Sequence, residues 1–191
     1  MRRSELEAFR DQTVPDLVGD DVRLLVVGIN PGLVTAAVQA HFARRGNRFY
    51  PALYRAGIVD RLIDASSGCA ADDVAHLRER GLGITNLVAR ATARADELSR
   101  EELVAGAAAL TDRVRTVRPA LVAVLGITAY RAAFARPAAI TGPQAGRLAD
   151  VPVWVLPNPS GLNAHAQVGD LAADYRAAAI AAGIDVFDRP V

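Results

Sequence analysis

The chain contains no lysine; all 22 of its basic residues are arginine. That excludes any mechanism built on a Schiff-base lysine. Cys69 is the only cysteine in 191 residues, so no internal disulfide forms and no cysteine-held iron–sulfur cluster can be built. Its setting, Ser66-Ser67-Gly68-Cys69-Ala70, reads as a loop and names no histidine partner to activate the thiol. Aromatics make up 5% of the chain. Alanine, valine and leucine must therefore fill the core, which favours an Ala-rich helical layer over a sheet. No apolar run approaches the roughly 20 residues that span a bilayer. Met1-Arg2-Arg3-Ser4-Glu5-Leu6-Glu7 turns acidic where a secretion signal would turn apolar. A soluble, cytoplasmic protein with no membrane partner is the expectation. His41, His76 and His165 show no metal-binding spacing, so neither a metal nor another cofactor is expected.

The formal net charge is only +1, but charge is unevenly distributed. Arg113, Arg115, Arg118, Arg131, Arg136 and Arg147 follow one another without an intervening acid. Arg44, Arg45 and Arg48 do the same beside Phe49 and Tyr50. Two readings stay open: a basic face that meets phosphates, or arginines that decorate helix surfaces.

Residues 1–12 read as a short polar helix. Val22 to Ile29 is a continuous apolar run ending in a turn, the signature of a buried parallel strand. Helices are predicted over 47–56 and 71–80, and a short strand over 84–88. Ser99 and Glu102 have capping-box spacing and open a helix to about Val117. A strand over 120–126, a helix over 128–134, a strand over 151–156 and a helix over 170–182 complete the chain. Strands alternating with helices predict an α/β fold, with a mostly parallel sheet and helices on both faces. One domain is expected over 21–191, preceded by an extension over 1–20. In such folds ligands bind beyond the carboxyl ends of the strands. Three loops leave those ends, near 30–47, 86–90 and 158–167.

The first loop carries Gly28-Ile29-Asn30-Pro31-Gly32. It has neither dinucleotide-fingerprint nor P-loop spacing. Asn-Pro-Gly is also a legitimate turn for purely local reasons. An asparagine at a strand end, however, presents an amide oxygen that can aim a water molecule without taking its proton. Such a group suits a reaction whose leaving group departs first, as in cleavage of an N-glycosidic bond through an oxocarbenium-like sugar. Backbone N–H groups of the turn could bond the carbonyl oxygens of a departing pyrimidine. The third loop, Asn158-Pro159-Ser160-Gly161-Leu162, places a second amide at the cleft. Leu162 is either a core residue or a wedge that fills the gap left by an extruded nucleotide.

Gly-Ile-Asn-Pro-Gly-Leu at 28–33 and Asn-Pro-Ser-Gly-Leu at 158–162 together resemble the paired signatures of the mismatch-specific uracil-DNA glycosylases, the bacterial group akin to thymine-DNA glycosylase. Asn47-Arg48-Phe49, Gly83 to Val88, Leu125-Gly126 and Trp154 to Pro157 extend the likeness over most of the chain. The resemblance implies a three-layer α/β/α sandwich of the uracil-DNA glycosylase type, with a short, mostly parallel central sheet. It implies Asn30 and Asn158 as catalytic residues. Ile29, Thr35, Phe42 and Asn86 would then hold the base, with Phe42 stacking on it. Asn47, Ser160, Gly161, Leu162, Asn163 and His165 would meet DNA. Independently of the resemblance, His41 and His165 adjoin the two motifs, where either could touch phosphate. The implied activity is monofunctional excision of uracil, or a related mispaired pyrimidine, opposite guanine. The implied partner is duplex DNA bearing a damaged base, bound by a monomer. Bacterial relatives often carry a basic residue at Asn86, where the thymine-DNA glycosylase branch tends to have asparagine, so base preference is not fixed by the motifs; some relatives carry an arginine at Ala164, which leaves the phosphate grip open. Hypoxanthine or xanthine specialists, a non-catalytic mismatch sensor and a nucleoside-cleaving enzyme are the alternatives.

Overall fold

The computed structural model describes residues 2–161 and 167–189. Five strands form one sheet: β1 (Leu24–Gly28), β2 (Leu82–Asn86), β3 (Leu121–Leu125), β4 (Gly142–Leu148) and β5 (Val151–Leu156), in the order β2-β1-β3-β5-β4. All pairings are parallel except β4 with β5. Every residue of β1, β2 and β3 is buried. That explains why these strands read as unbroken apolar runs: both faces are covered.

Alternation along the strands divides the core in two. Leu24 and Val26 of β1, with Leu121, Ala123 and Leu125 of β3, pack toward α3 (Phe49–Arg55), α4 (Ala71–Glu79) and α7 (Val168–Ala181). Leu25, Val27, Val122 and Val124 face α5 (Arg100–Val117) and α6 (Ile127–Ala133). The result is the expected three-layer α/β/α sandwich. The capping box holds as spaced: Ser99 Oγ accepts from Glu102 N–H, and Ser99 N–H donates to the Glu102 carboxylate at 2.9 Å.

Three elements depart from the sequence expectation. In place of the helix expected over 1–12, the described residues 2–12 form only one helical turn, α1 (Arg3–Leu6), followed by a 3-10 turn at Glu7–Phe9. A helix, α2 (Leu33–Val38), starts directly after the Asn-Pro-Gly turn. β4 is an edge strand rich in glycine and small residues, without apolar alternation, and its register with β5 shifts between Pro143 and Arg147. The segment before β1 is packed onto the sheet. Leu17 exchanges two backbone hydrogen bonds with Ile84 of β2, and Val14 packs with Leu33, Ala36 and Ala91.

The six arginines of 113–149 do not come from one element. They are spread over α5, α6, β4 and their ends. Arg113 pairs with Asp16, and Arg131 and Arg147 bond backbone carbonyls.

Candidate active site

The parallel register places Gly28 beside Asn86 and brings the ends of β1, β2, β3 and β5 to one edge. There the loops enclose a cleft of about 150 Å3. Ile29, Asn30, Thr35, Phe42, Asn47, Asn86, Asn158 and Ser160 all line it. Gly161 lies at the adjoining mouth with Arg44, Arg45 and Arg48. Leu162, Asn163 and His165 lie outside the described residues.

The orientation of the Asn30 amide is set by its neighbours. Asn30 Nδ2 donates to the Arg90 carbonyl at 3.0 Å and to Thr92 Oγ1 at 2.8 Å. The Thr92 hydroxyl spends its single proton on the Arg94 carbonyl, at 2.7 Å, so toward Asn30 it can only accept. Both amide protons are therefore engaged. The oxygen, Oδ1, has no partner among the described residues and is left to accept from a molecule in the cleft. Nothing in the run Ala91-Thr92-Ala93 signals this role in the sequence; it follows from the loop after β2 crossing under Asn30, where Thr92 N–H bonds the Pro31 carbonyl. Thr92→Val keeps the volume and removes the acceptor, leaving an amide proton unpaired. That costs on the order of 1–3 kcal/mol. The substitution is expected to lower the melting midpoint by roughly 2–12 °C, measured by calorimetry.

The opposite wall is aromatic and amide. Phe42 adopts φ +56°, a conformation that costs a non-glycine residue on the order of 1 kcal/mol and is found where a side chain must be aimed. Its ring stacks on Phe49, centroids 4.0 Å apart, and lines the cleft. His41 is not a phosphate ligand: it is buried, 5% exposed, and its Nε2 lies 2.9 Å from the Pro15 carbonyl. A carbonyl only accepts, so Nε2 carries the proton and Nδ1 holds the lone pair. Asn86 Nδ2 then donates to Nδ1, at 3.3 Å. This turns Asn86 Oδ1 toward Gly28, where a Cβ would come within 2.5 Å of it. Only glycine at 28 leaves that oxygen in place.

Burial pushes the His41 pKa below its ordinary value, against the opposing pull of the Pro15 bond and Asp16. The folded state therefore prefers the neutral ring. The associated stability is complete above the unfolded value of about 6.5 and is lost as pH falls below it, because the unfolded chain takes the proton first. The denaturation midpoint is expected to drop between about pH 7.5 and 5.5 more steeply in the wild type than in His41→Gln; equal slopes would remove His41 from this account.

The third loop is shaped by its own residues. Asn158 Oδ1 accepts from Ser160 N–H at 3.0 Å, an Asx turn. Asn158 thus lines the cleft while its oxygen is engaged in the loop. Arg48 N–H bonds the Pro159 carbonyl at 3.0 Å, and its guanidinium reaches the Gly161 carbonyl at 3.3 Å. A Cβ at Gly161 would lie 2.7 Å from the Gly46 carbonyl, so glycine permits the two loops to touch. Asn47 Oδ1 accepts from Phe49 N–H at 2.9 Å and starts α3. Trp154 is partly buried against the core, and burial pushes the Cys69 thiol up.

A mostly parallel sheet covered by helices, with an anchored amide, an aromatic ring stacked on Phe49 and a second amide around a cleft at its strand ends, defines an α/β protein with a polar and aromatic cleft. The chain matches the family model of the Uracil DNA glycosylase superfamily over residues 15–182. It belongs to that superfamily, whose members are DNA glycosylases. Its fold is similar to the solution NMR structure of a "putative Uracil DNA glycosylase" from Methanosarcina acetivorans, with a TM-score of 0.62 at 15% identity. The match covers 91% of this chain and 98% of that one.

Proposed function

We propose that this chain is a monofunctional DNA glycosylase that removes uracil, or a related mispaired pyrimidine, opposite guanine in duplex DNA and so begins base excision repair. The observation that carries the reading is the Asn30 amide, which lines the cleft with its nitrogen engaged at both protons and its oxygen left to accept.

The bound nucleotide leaves the duplex and its base enters against Phe42. A mispaired base costs less to unstack, which supplies part of the selectivity. Asn86 offers the base an amide oxygen beside Gly28, suited to the N–H of a pyrimidine imide. As the glycosidic bond lengthens, positive charge grows on the sugar and negative charge on the base oxygens; backbone N–H groups of the first loop stabilise the latter. Asn30 Oδ1 holds a water for the sugar carbon. It aims that water and takes no proton, so the reaction is slow and follows bond breaking. With no lysine in the chain, strand cleavage through a lysine Schiff base does not follow. Arg44 and Arg45, exposed at the mouth, fit backbone phosphates.

Labelled oligonucleotides carrying G·U, A·U or single-stranded uracil, treated with the protein and then with alkali, test this reading. Preferential scission of the G·U duplex is expected. No scission at stoichiometric protein would contradict it.

A further inference from the structure

Asn30 is aimed by two acceptors, and one of them is the Arg90 main chain. The Arg90 side chain is anchored on the outside of the same loop. Its guanidinium donates to both Glu102 oxygens, at 2.5 and 3.0 Å, and to Asp11 Oδ1 at 3.0 Å. Glu102 belongs to the capped first turn of α5, a fixed point of the helical layer. Arg90 holds its carboxyl down at about 2. Asp11 belongs to the segment that precedes the sheet, and it sits in the left-handed region at φ +62°. Two further backbone bonds join that segment to the loop: Asp11 N–H to the Ala91 carbonyl at 2.9 Å, and Ala91 N–H to the Gln12 carbonyl at 2.8 Å. The loop that orients Asn30 is thus held from α5 on one side and from residues 11–12 on the other.

We propose that Arg90 and Asp11 are positioning residues for the reaction: their ion-pair cluster with Glu102 keeps the Arg90 carbonyl under Asn30 and so keeps Asn30 Oδ1 aimed into the cleft. This rests on the glycosylase reading of Asn30. Partly exposed ion pairs of this kind add little to global stability. Their value here is geometric. A bidentate arginine fixes both the position and the plane of its partner, and small displacements of an aiming group cost rate out of proportion to their size. The segment before β1 is, in this view, part of the catalytic apparatus.

A double-mutant cycle tests the proposal. Single-turnover rates on G·U duplex are compared for wild type, Arg90→Met, Asp11→Asn, Asn30→Ala and Arg90→Met/Asn30→Ala. Affinity for a duplex with an abasic site is measured alongside. Arg90→Met is expected to slow base release on the order of 10- to 100-fold, and Asp11→Asn by less. Affinity should change less than about threefold. Arg90→Lys should recover part of the loss. In the Asn30→Ala background, Arg90→Met should cost nothing further, because it acts only through Asn30. A loss of equal size in both backgrounds, or an unchanged rate in a folded Arg90→Met protein, overturns the proposal. If Arg90→Met does not fold, Arg90→Lys and Asp11→Asn carry the same comparison. The Asn30 side-chain amide resonances of nitrogen-15-labelled protein give a readout that needs no activity. They should shift in the Arg90 and Asp11 variants, and unmoved resonances contradict the positioning role. Should Asn30→Ala release base at the wild-type rate, the reading of the cleft fails, while these resonances still decide whether Arg90 sets the amide.

Discussion

Asn30→Ala is expected to lose base release by about 10²- to 10³-fold, the range seen when one aimed polar group is removed from a reacting centre. Binding of duplex DNA should change little, because nothing in the geometry of Asn30 addresses phosphate. Its nitrogen is consumed by Arg90 and Thr92, and the residue lines the cleft proposed to receive the extruded nucleotide. The substitution therefore separates rate from affinity, and pre-steady-state rates paired with anisotropy titrations measure both. Asn30→Asp distinguishes aiming from proton removal. It puts an oxygen where Nδ2 stood, 3.0 Å from the Arg90 carbonyl. Two acceptors repel, so the carboxyl should stay protonated to higher pH than usual and donate to that carbonyl. Any general-base gain from Asn30→Asp should then emerge only as pH rises. A gain already complete at mildly acidic pH would mean that the side chain is not oriented as described.

Phe49→Ala should produce the largest loss of stability, about 3–5 kcal/mol, as expected for truncating a fully buried phenylalanine. Phe49 is 0% exposed. Its ring meets Phe42 at 4.0 Å, Tyr50 at 5.1 Å and Tyr175 at 6.1 Å, the last two edge-on. It therefore joins α3 to α7 and also backs the ring proposed to receive the base. At roughly 2–4 °C per kcal/mol for a chain of this size, the melting midpoint should fall by roughly 6–20 °C. The functional signature should persist in the fraction that stays folded: with no ring behind it, Phe42 loses its fixed face, and affinity for the extruded base should fall. Phe49→Leu retains most of the buried volume and should lose far less stability, while the stacking partner is still removed. Calorimetry on the two variants, with binding measured well below both midpoints, separates the two contributions.

The parts of this fold that buried apolar runs define were legible in the sequence. β1, β3 and β5 lie close to where Val- and Leu-rich stretches placed them, and α5 begins at its capping box. α2 escaped because six residues with mixed apolar and small side chains carry no helical period long enough to read. β4 escaped because Gly142-Pro143-Gln144-Ala145-Gly146 lacks the alternation and β-branching of a strand. It is held as an edge by β5 instead. The motifs at 28–32 and 158–160 come together around one cleft at the strand ends. What they could not show was the support behind each amide. Thr92 and His41 act by supplying an acceptor at one atom, a role set by tertiary placement with no trace in local spacing. His41 stands next to Phe42 in sequence, which suggested an exposed phosphate contact. Burial against Pro15 made it the residue that orients Asn86.

The most direct measurement is chromatographic detection of free uracil from a G·U duplex incubated with excess protein, run in parallel with Asn30→Ala. The wild-type chain should release the base in stoichiometric yield while the variant, still bound to the duplex, releases almost none. No free base from either protein, or equal release from both, would contradict the assignment of this cleft.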